Sequence, residues 1–250
     1  MNYHLGHIPV SLINEVIRRK WSTYFRTFIV LKYEYTNVAF FKNKEQAYND
    51  TKDVLNINKR TFKTHLKKLV NLGFLGVDKN QSYYIRSYNH LRTAFGLKKT
   101  HKVEFTSKEL SENCFTPYMF GVVIGYIALK KEFKKIWEVL KKGGINQSQK
   151  ILKIQKSQLD FKSPLSASYL KSILGVSKSY INKQFNKAAD LGYIFFEKDC
   201  RYTGLTDSHI SHITELYEDC GFYAFCSGGY IYTSHPNRCK ATLLYKKEKR

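Results

Sequence analysis

Two stretches of the chain share one residue pattern: LNINKRTFKTHLKKLVNLGFL at 55–75 and LGVSKSYINKQFNKAADLGYI at 174–194. A constant offset of 119 positions aligns them without a gap. The identical pairs are Leu55/Leu174, Lys59/Lys178, Lys68/Lys187, Leu72/Leu191 and Gly73/Gly192. Because repetition at a fixed period marks a repeated structural unit, the sequence predicts two copies of one module.

The apolar residues of both copies recur at helical spacing. They are Phe62, Leu66, Leu69 and Val70 in the first copy, and Ile181, Phe185, Ala188 and Ala189 in the second. Such a stripe predicts a helix with one buried face. Asn58 and Ser177 are suitable N-caps, and Gly73 and Gly192 are suitable residues for ending a helix.

A shorter helix is predicted before each of these. In the second copy it covers Ser166–Leu174, follows the helix-start signal Ser163-Pro164, and ends in a tight turn at Gly175. Asn56 occupies the same place in the first copy, and Asn tolerates the left-handed conformation better than other non-Gly residues. Helix, short turn and helix together predict a helix-turn-helix.

A β-hairpin is predicted after each copy. The first has strands at 74–77 and 82–86 around a turn at 78–81. The second has strands at 193–197 and 201–203 around a turn at Lys198-Asp199-Cys200. With these hairpins as wings, and with the Leu-Gly-aromatic ending of the second helix, both copies resemble the winged helix-turn-helix superfamily.

The rest of the chain is predicted to be mainly helical. We expect helices at 10–19, 21–35 and 118–142, the last ending at Gly143-Gly144, and a short strand at 38–41. The fold class is mainly α with small β-hairpins (α+β), as two tandem winged-helix domains joined by a long helix. The predicted domains are 1–97, a linker and connecting helix at 98–148, and 149–250 with a basic, β-rich C-terminal extension.

Charge is the strongest global feature of the chain. It has 42 Lys and Arg against 20 Asp and Glu, a formal net charge of +22. Such a balance favours polyanionic partners. The alternative is that a generally Lys-rich composition raises the charge and the surface is merely soluble. The longest apolar run, Met119–Leu129, is too short for a membrane span, and no signal-peptide pattern is present. We therefore expect a cytoplasmic, DNA-associated protein without membrane contact.

The exposed faces of the two longer helices carry the predicted DNA-binding residues. Basic side chains suit guanine acceptors and phosphates, Thr64 suits a thymine methyl group or a phosphate, and Asn182 suits adenine. The first set is Lys59, Arg60, Lys63, Thr64 and Lys67, with wing residues Lys79, Asn80 and Arg86. The second set is Lys178, Ser179, Tyr180, Asn182 and Lys183, with wing residues Lys198 and Arg201. The second copy is less basic, so it is also the candidate for a homodimer or another protein contact.

No constellation of catalytic residues is found, and we expect neither an enzyme nor a cofactor. His209-Ile210-Ser211-His212 has one residue too many for the metal pair of a DNA-nicking enzyme, and no Walker A motif occurs. Four C-terminal residues with metal-binding side chains are spaced unlike a zinc site, so we interpret them as ordinary residues of a β-rich tail: Cys220, Cys226, His235 and Cys239.

In its architecture the chain resembles plasmid and phage replication initiators. That resemblance implies a sequence-specific double-stranded DNA-binding protein that organises replication. A winged-helix transcriptional regulator is the first alternative. The second is a non-enzymatic structural or packaged protein that binds nucleic acid or protein without sequence preference.

Overall fold

The computed structural model describes residues 7–35, 40–142, 163–202, 223–227 and 230–241, with the backbone alone at 132, 135, 136, 139, 140, 142, 163, 164 and from 196 onward. The chain is mainly helical, with small antiparallel strands. The helices are α1 Val10–Arg18, α2 Ser22–Glu34, α3 Lys44–Leu55, α4 Lys59–Asn71, α5 Tyr88–Ala94, α6 Glu112–Lys142, α7 Ala167–Leu174 and α8 Lys178–Asp190. The strands are β1 His7–Pro9, β2 Phe40–Phe41, β3 Leu75–Val77, β4 Tyr83–Ile85, β5 Lys102–Glu104, β6 Ser163–Pro164, β7 Ile194–Tyr202, β8 Tyr223–Ser227 and β9 Tyr230–Ala241.

The described residues form two compact units that divide between Met119 and Phe120, within α6. The sequence predicted a first domain ending at 97, followed by a linker. The structure differs because β5 pairs antiparallel with β1, with Ile8 opposite Val103. Phe105 and Phe115 are also buried. Residues 102–119 therefore fold with the first unit.

Aromatic side chains dominate the core of the first unit. Phe74 lies at its centre, with its ring 5.0 Å from that of Phe28 and 5.8 Å from that of Phe25, measured between centroids. Trp21 and Phe95 contact the same ring at 5.9 and 5.7 Å. Because Phe74 follows directly after Gly73, this cluster holds the end of α4 against α2.

Helices α4 and α8 begin and end as predicted. The Asn58 side chain accepts a hydrogen bond from the Thr61 N–H, and the Ser177 side chain accepts one from the Tyr180 N–H. After each helix the backbone turns left-handed, at Gly73 (φ +78°) and Gly192 (φ +74°).

The same pair of backbone hydrogen bonds closes both helices. The N–H of Phe74 donates to Leu69 O and that of Tyr193 to Ala188 O, while each glycine N–H donates to the residue three positions earlier. This is the Schellman arrangement, which satisfies carbonyls at a helix end.

The turn before each helix also follows the prediction. Asn56 (φ +49°) and Gly175 (φ +66°) both adopt the left-handed conformation. The predicted buried faces are confirmed for Phe62, Leu66 and Leu69 and, in α8, for Ile181, Phe185 and Ala188. Val70 and Ala189 are half-buried.

The strands of the two units have matching orders. In the first unit the order is β2-β4-β3, and in the second β6-β9-β7, with β8 also paired to β9. In each case a two-residue strand precedes the helix pair and joins the strand that returns after it.

The second hairpin differs from its prediction. The turn expected at Lys198-Asp199-Cys200 was wrong, because β7 continues through these residues to Tyr202 and pairs with β9, with Cys200 opposite Ser234. The register shifts between Glu197 and Asp199, where β9 contributes an extra residue. A β-bulge near Pro236 explains the shift, since proline is tolerated in strands at bulges.

Two further details differ from their predictions, one before α7 and one at the start of α6. Helix α7 covers the predicted residues with Ser166 as its N-cap, but Ser163-Pro164, interpreted as the signal before it, forms β6 opposite Cys239 and Arg238. Helix α6 begins at Glu112 rather than Tyr118, so Pro117 lies inside it. In the described part of the chain, no helix combines the length and apolar character that crossing a bilayer needs.

Candidate nucleic-acid interface

Helix α4 presents one continuous basic face. Burial of Phe62, Leu66 and Leu69 fixes the rotation of the helix. The five side chains predicted to contact DNA from α4 are all exposed, and together they line a shallow depression of about 520 Å³: Lys59, Arg60, Lys63, Thr64 and Lys67.

One acidic residue from outside α4 contacts this face. Glu45, in the first turn of α3, forms an ion pair with Lys59, with Nζ and Oε1 2.6 Å apart. The hydrogen bond from Lys59 lowers the pKa of the Glu45 carboxyl. Among the described residues, Arg60, Lys63 and Lys67 form no ion pair, so they carry the unneutralised charge of the face.

The buried side of α4 carries a histidine that the sequence analysis did not identify. His65 Nδ1 lies 2.8 Å from the hydroxyl oxygen of Thr27 in α2, and Tyr24 packs edge-on against the imidazole. Burial lowers the pKa of His65. This polar contact ties α4 to α2 in one rotation.

Arg26 of α2 fixes the end of the preceding helix. Its guanidinium donates to the carbonyl oxygens of Leu55 and Val54, at 3.1 and 2.9 Å, and to that of Leu110 at 2.6 Å. These carbonyls include the last residues of α3, which α3 itself leaves unsatisfied. Arg26 therefore positions the turn that leads into α4.

The three residues predicted to contact DNA from the first hairpin differ in their exposure. Lys79 and Asn80 are exposed at the turn, where Asp78 Oδ1 accepts the N–H groups of Asn80 and Ser82 at 2.9 and 2.7 Å. Arg86 is half-buried: Nη1 lies 2.7 Å from Nε2 of His90. Arg86 is therefore less free to reach a ligand than the turn residues.

The exposed face of α8 is less basic than that of α4. The predicted residues Lys178, Ser179, Tyr180, Asn182 and Lys183 are all exposed. The ring of Tyr180, however, packs edge-on against Phe120 at 5.5 Å between centroids. Burial raises the pKa of its hydroxyl. Tyr180 is thus partly held by its own unit, and the cations of the predicted set on this helix are Lys178 and Lys183.

Gln184 is buried in α8 at the position equivalent to His65 in α4, offset by 119 residues. Its Oε1 has no hydrogen-bond partner among the described residues. The two helices therefore share a polar residue at the same place on their buried sides. Among the described residues, His65 of α4 has a hydrogen-bond partner and Gln184 Oε1 of α8 does not.

The remaining predicted residues lie where the structure describes the backbone alone or nothing. Lys198 and Arg201 are within β7, Arg201 opposite Thr233. Cys226 is in β8, His235 and Cys239 are in β9, and Cys220 lies outside the described residues.

Comparison with protein-family models, curated proteins and solved structures finds no match to this chain.

Proposed function

We propose that the chain is a sequence-specific double-stranded DNA-binding protein built from two winged helix-turn-helix modules. The carrying observation is the exposed face of α4, where Arg60, Lys63 and Lys67 form no ion pair with an acidic side chain among the described residues. A helix about 10–12 Å wide fits the major groove, and cations near its start suit guanine acceptors and phosphates.

The matching strand orders support the two-module part of the proposal. In each unit a two-residue strand, a helix pair with a left-handed turn and a returning strand follow one another in the same order. The wing of the first module offers Lys79 and Asn80 to the DNA backbone. In the second module, Asn182 and Lys183 are the exposed residues suited to a second site.

Two DNA-contacting modules in one chain suit iterated binding sites. We therefore propose a role in replication initiation on a plasmid or phage genome, with transcriptional regulation as the alternative. DNase footprinting on fragments selected by the purified protein separates the two. Protection of direct repeats supports the initiator, whereas a single protected site beside a promoter supports the regulator.

A charge-matched pair of variants tests DNA contact by α4. The triple variant Arg60→Ala/Lys63→Ala/Lys67→Ala removes the free cations of the face. The control, Lys98→Ala/Lys99→Ala/Lys102→Ala, removes equal charge from other exposed positions of the same unit. Each lost phosphate contact lowers the log–log salt slope by about 0.9.

We expect the α4 variant to lose specific duplex binding and up to about 2.7 units of salt slope, and the control to keep its sequence preference. Circular dichroism checks that both variants fold. Equal losses in the two variants would show that only total charge matters and would remove α4 from the interface.

A further inference from the structure

The outer face of the β2-β4-β3 sheet carries two exposed aromatic rings. Alternation along the strands sends Phe41 and Tyr83 to the core, where their rings stack at 5.0 Å. It sends Phe40 and Tyr84 outward, where they are 42% and 43% exposed. Phe40 lies directly opposite Tyr84 in the register, so the two side chains leave the same face of the sheet, and both line one depression.

The absence of a side chain at Gly76 shapes this face. Gly76 lies opposite Tyr84 on the other neighbouring strand. A Cβ at Gly76 would overlap the Tyr84 ring, because Cζ and Oη of that ring lie over the glycine. The Tyr84 ring therefore leans across the sheet and exposes a flat aromatic surface.

Polar and cationic groups surround the two rings. A shallow depression of about 310 Å³ is lined by Phe40, Lys42, Asp78, Asn80, Ser82 and Tyr84. The guanidinium carbon of Arg86 lies 5.8 Å from the centre of the Tyr84 ring. One carboxylate oxygen of Asp78 is already engaged by two backbone N–H groups. The cations Lys42 and Arg86 thus outnumber the single acid.

We propose that this sheet face binds single-stranded nucleic acid, with bases stacked on Phe40 and Tyr84, phosphates contacted by Lys42, and Arg86 adding positive charge from its fixed position beside the Tyr84 ring. Stacking on aromatic side chains is sequence-tolerant because every base has a π-face, and it needs an adjoining positive charge to hold the backbone. A duplex keeps its base faces covered, so the occupant is unpaired. A protein partner fits less well, since polar and charged side chains line most of the depression, whereas the centre of a protein interface is depleted of charge.

The proposal is independent of duplex binding by α4, because it rests on different residues and a different chemistry. The decisive comparison is between a labelled oligothymidine strand and an abasic strand of the same length, both titrated with the full chain and followed by fluorescence anisotropy. The two probes have equal charge but only the first has bases. We expect the wild-type protein to bind the base-containing strand more tightly.

Phe40→Ala and Tyr84→Ala remove the rings, and Phe40→Tyr and Tyr84→Phe retain them. Loss of one stacked base weakens binding by roughly 5- to 150-fold. We expect each Ala variant to lose that factor on oligothymidine and to bind the abasic strand unchanged, while the ring-retaining variants match wild type. If urea unfolding shows that Tyr84→Ala is destabilised, Phe40→Ala decides the question.

An oligouridine arm shows whether the site takes RNA as well as DNA, since both offer the same base faces. The Arg60→Ala/Lys63→Ala/Lys67→Ala variant should keep the preference for bases over the abasic strand even where it no longer binds duplex. Equal wild-type binding of the two strands, or an undiminished preference in Phe40→Ala, would overturn the proposal.

Discussion

Replacing Gly73 by Ala tests the backbone conformation that ends α4. At φ +78° an Ala residue carries a left-handed strain of about 1–2 kcal/mol. The same substitution stiffens the unfolded chain, which offsets about 0.4–1 kcal/mol. A Cβ at Gly73 would meet nothing within 4 Å, so no steric clash adds to this. The strain prevails, and we expect a net loss of about 1 kcal/mol in the free energy of unfolding.

The two tryptophans allow this loss to be measured in the first unit alone. Trp21 is 5.9 Å from Phe74, the residue after Gly73, whereas Trp137 is in the second unit. In a Trp137→Phe background, the fluorescence of Trp21 therefore reports unfolding around the end of α4. With a urea m-value of about 1–3 kcal/mol/M, the expected loss lowers the midpoint by about 0.3–1 M.

Two further variants control for the cause of the loss. Gly73→Asn should cost less than Gly73→Ala, because Asn tolerates the left-handed conformation better. Gly192→Ala, at φ +74° with nothing within 4 Å of its Cβ, should destabilise the second unit by a similar amount. A Gly73→Ala protein as stable as wild type, or a Gly73→Asn protein less stable than Gly73→Ala, would refute the assigned conformation.

Two other predictions concern side chains that contact or support α4. Since burial lowers the folded-state pKa of His65, the unfolded state binds more protons, and stability should fall as pH drops below about 6.5, the ordinary histidine value. In His65→Gln, the urea midpoint should depend less on pH between pH 7 and 5. An unchanged pH dependence would contradict this role of His65. Glu45→Gln releases Lys59 and should tighten duplex binding about 2- to 5-fold at low salt, with a salt slope steeper by about 0.9. Asp53→Asn, an equal charge change on the exposed side of α3, is the control, and an equal gain there would mean that the Lys59 contact is irrelevant.

The parts of the fold that the sequence predicts are those governed by local interactions. The cap at Asn58, the left-handed residues at Asn56 and Gly73, and the apolar stripe of α4 each depend on residues within one or two helical turns. Their signals are therefore complete in a short window of sequence. The first hairpin is predictable for the same reason, since its strands are only a few residues apart.

The errors occur where a distant residue decides the structure. Lys198-Asp199-Cys200 resembles a turn only if its partner strand comes next, but β7 pairs with β9, which begins at Tyr230. Nothing in a local window identifies that partner. Likewise the exposed face of α4 is correctly predicted from periodicity, but Glu45, which neutralises Lys59, comes from another helix.

The difference in length between α3 and α7 is consistent with the proposal that each unit contains a copy of one module. Helix α3 has 12 residues and α7 has 8, so the offset between the copies changes from 119 after these helices to 123 before them. Four residues are close to one helical turn, so their removal shortens a helix without rotating its buried face. The buried residues agree: they recur every fourth position in both helices, as Ala47, Thr51 and Leu55 in α3, and as Leu170 and Leu174 in α7.

When the difference of one helical turn is taken into account, strands β2 and β6 also occupy equivalent positions before α3 and α7. β2 ends at Phe41 and α3 begins at Lys44, while β6 ends at Pro164 and α7 begins at Ala167, so the same two-residue gap precedes both. The caps Asn43 and Ser166 then occupy equivalent positions. Without a gap, the correspondence holds at the 119-residue offset only from Leu55 and Leu174 onward. If one helical turn is allowed for, the two segments correspond from the first strand to the second helix, which agrees with the proposal of two modules.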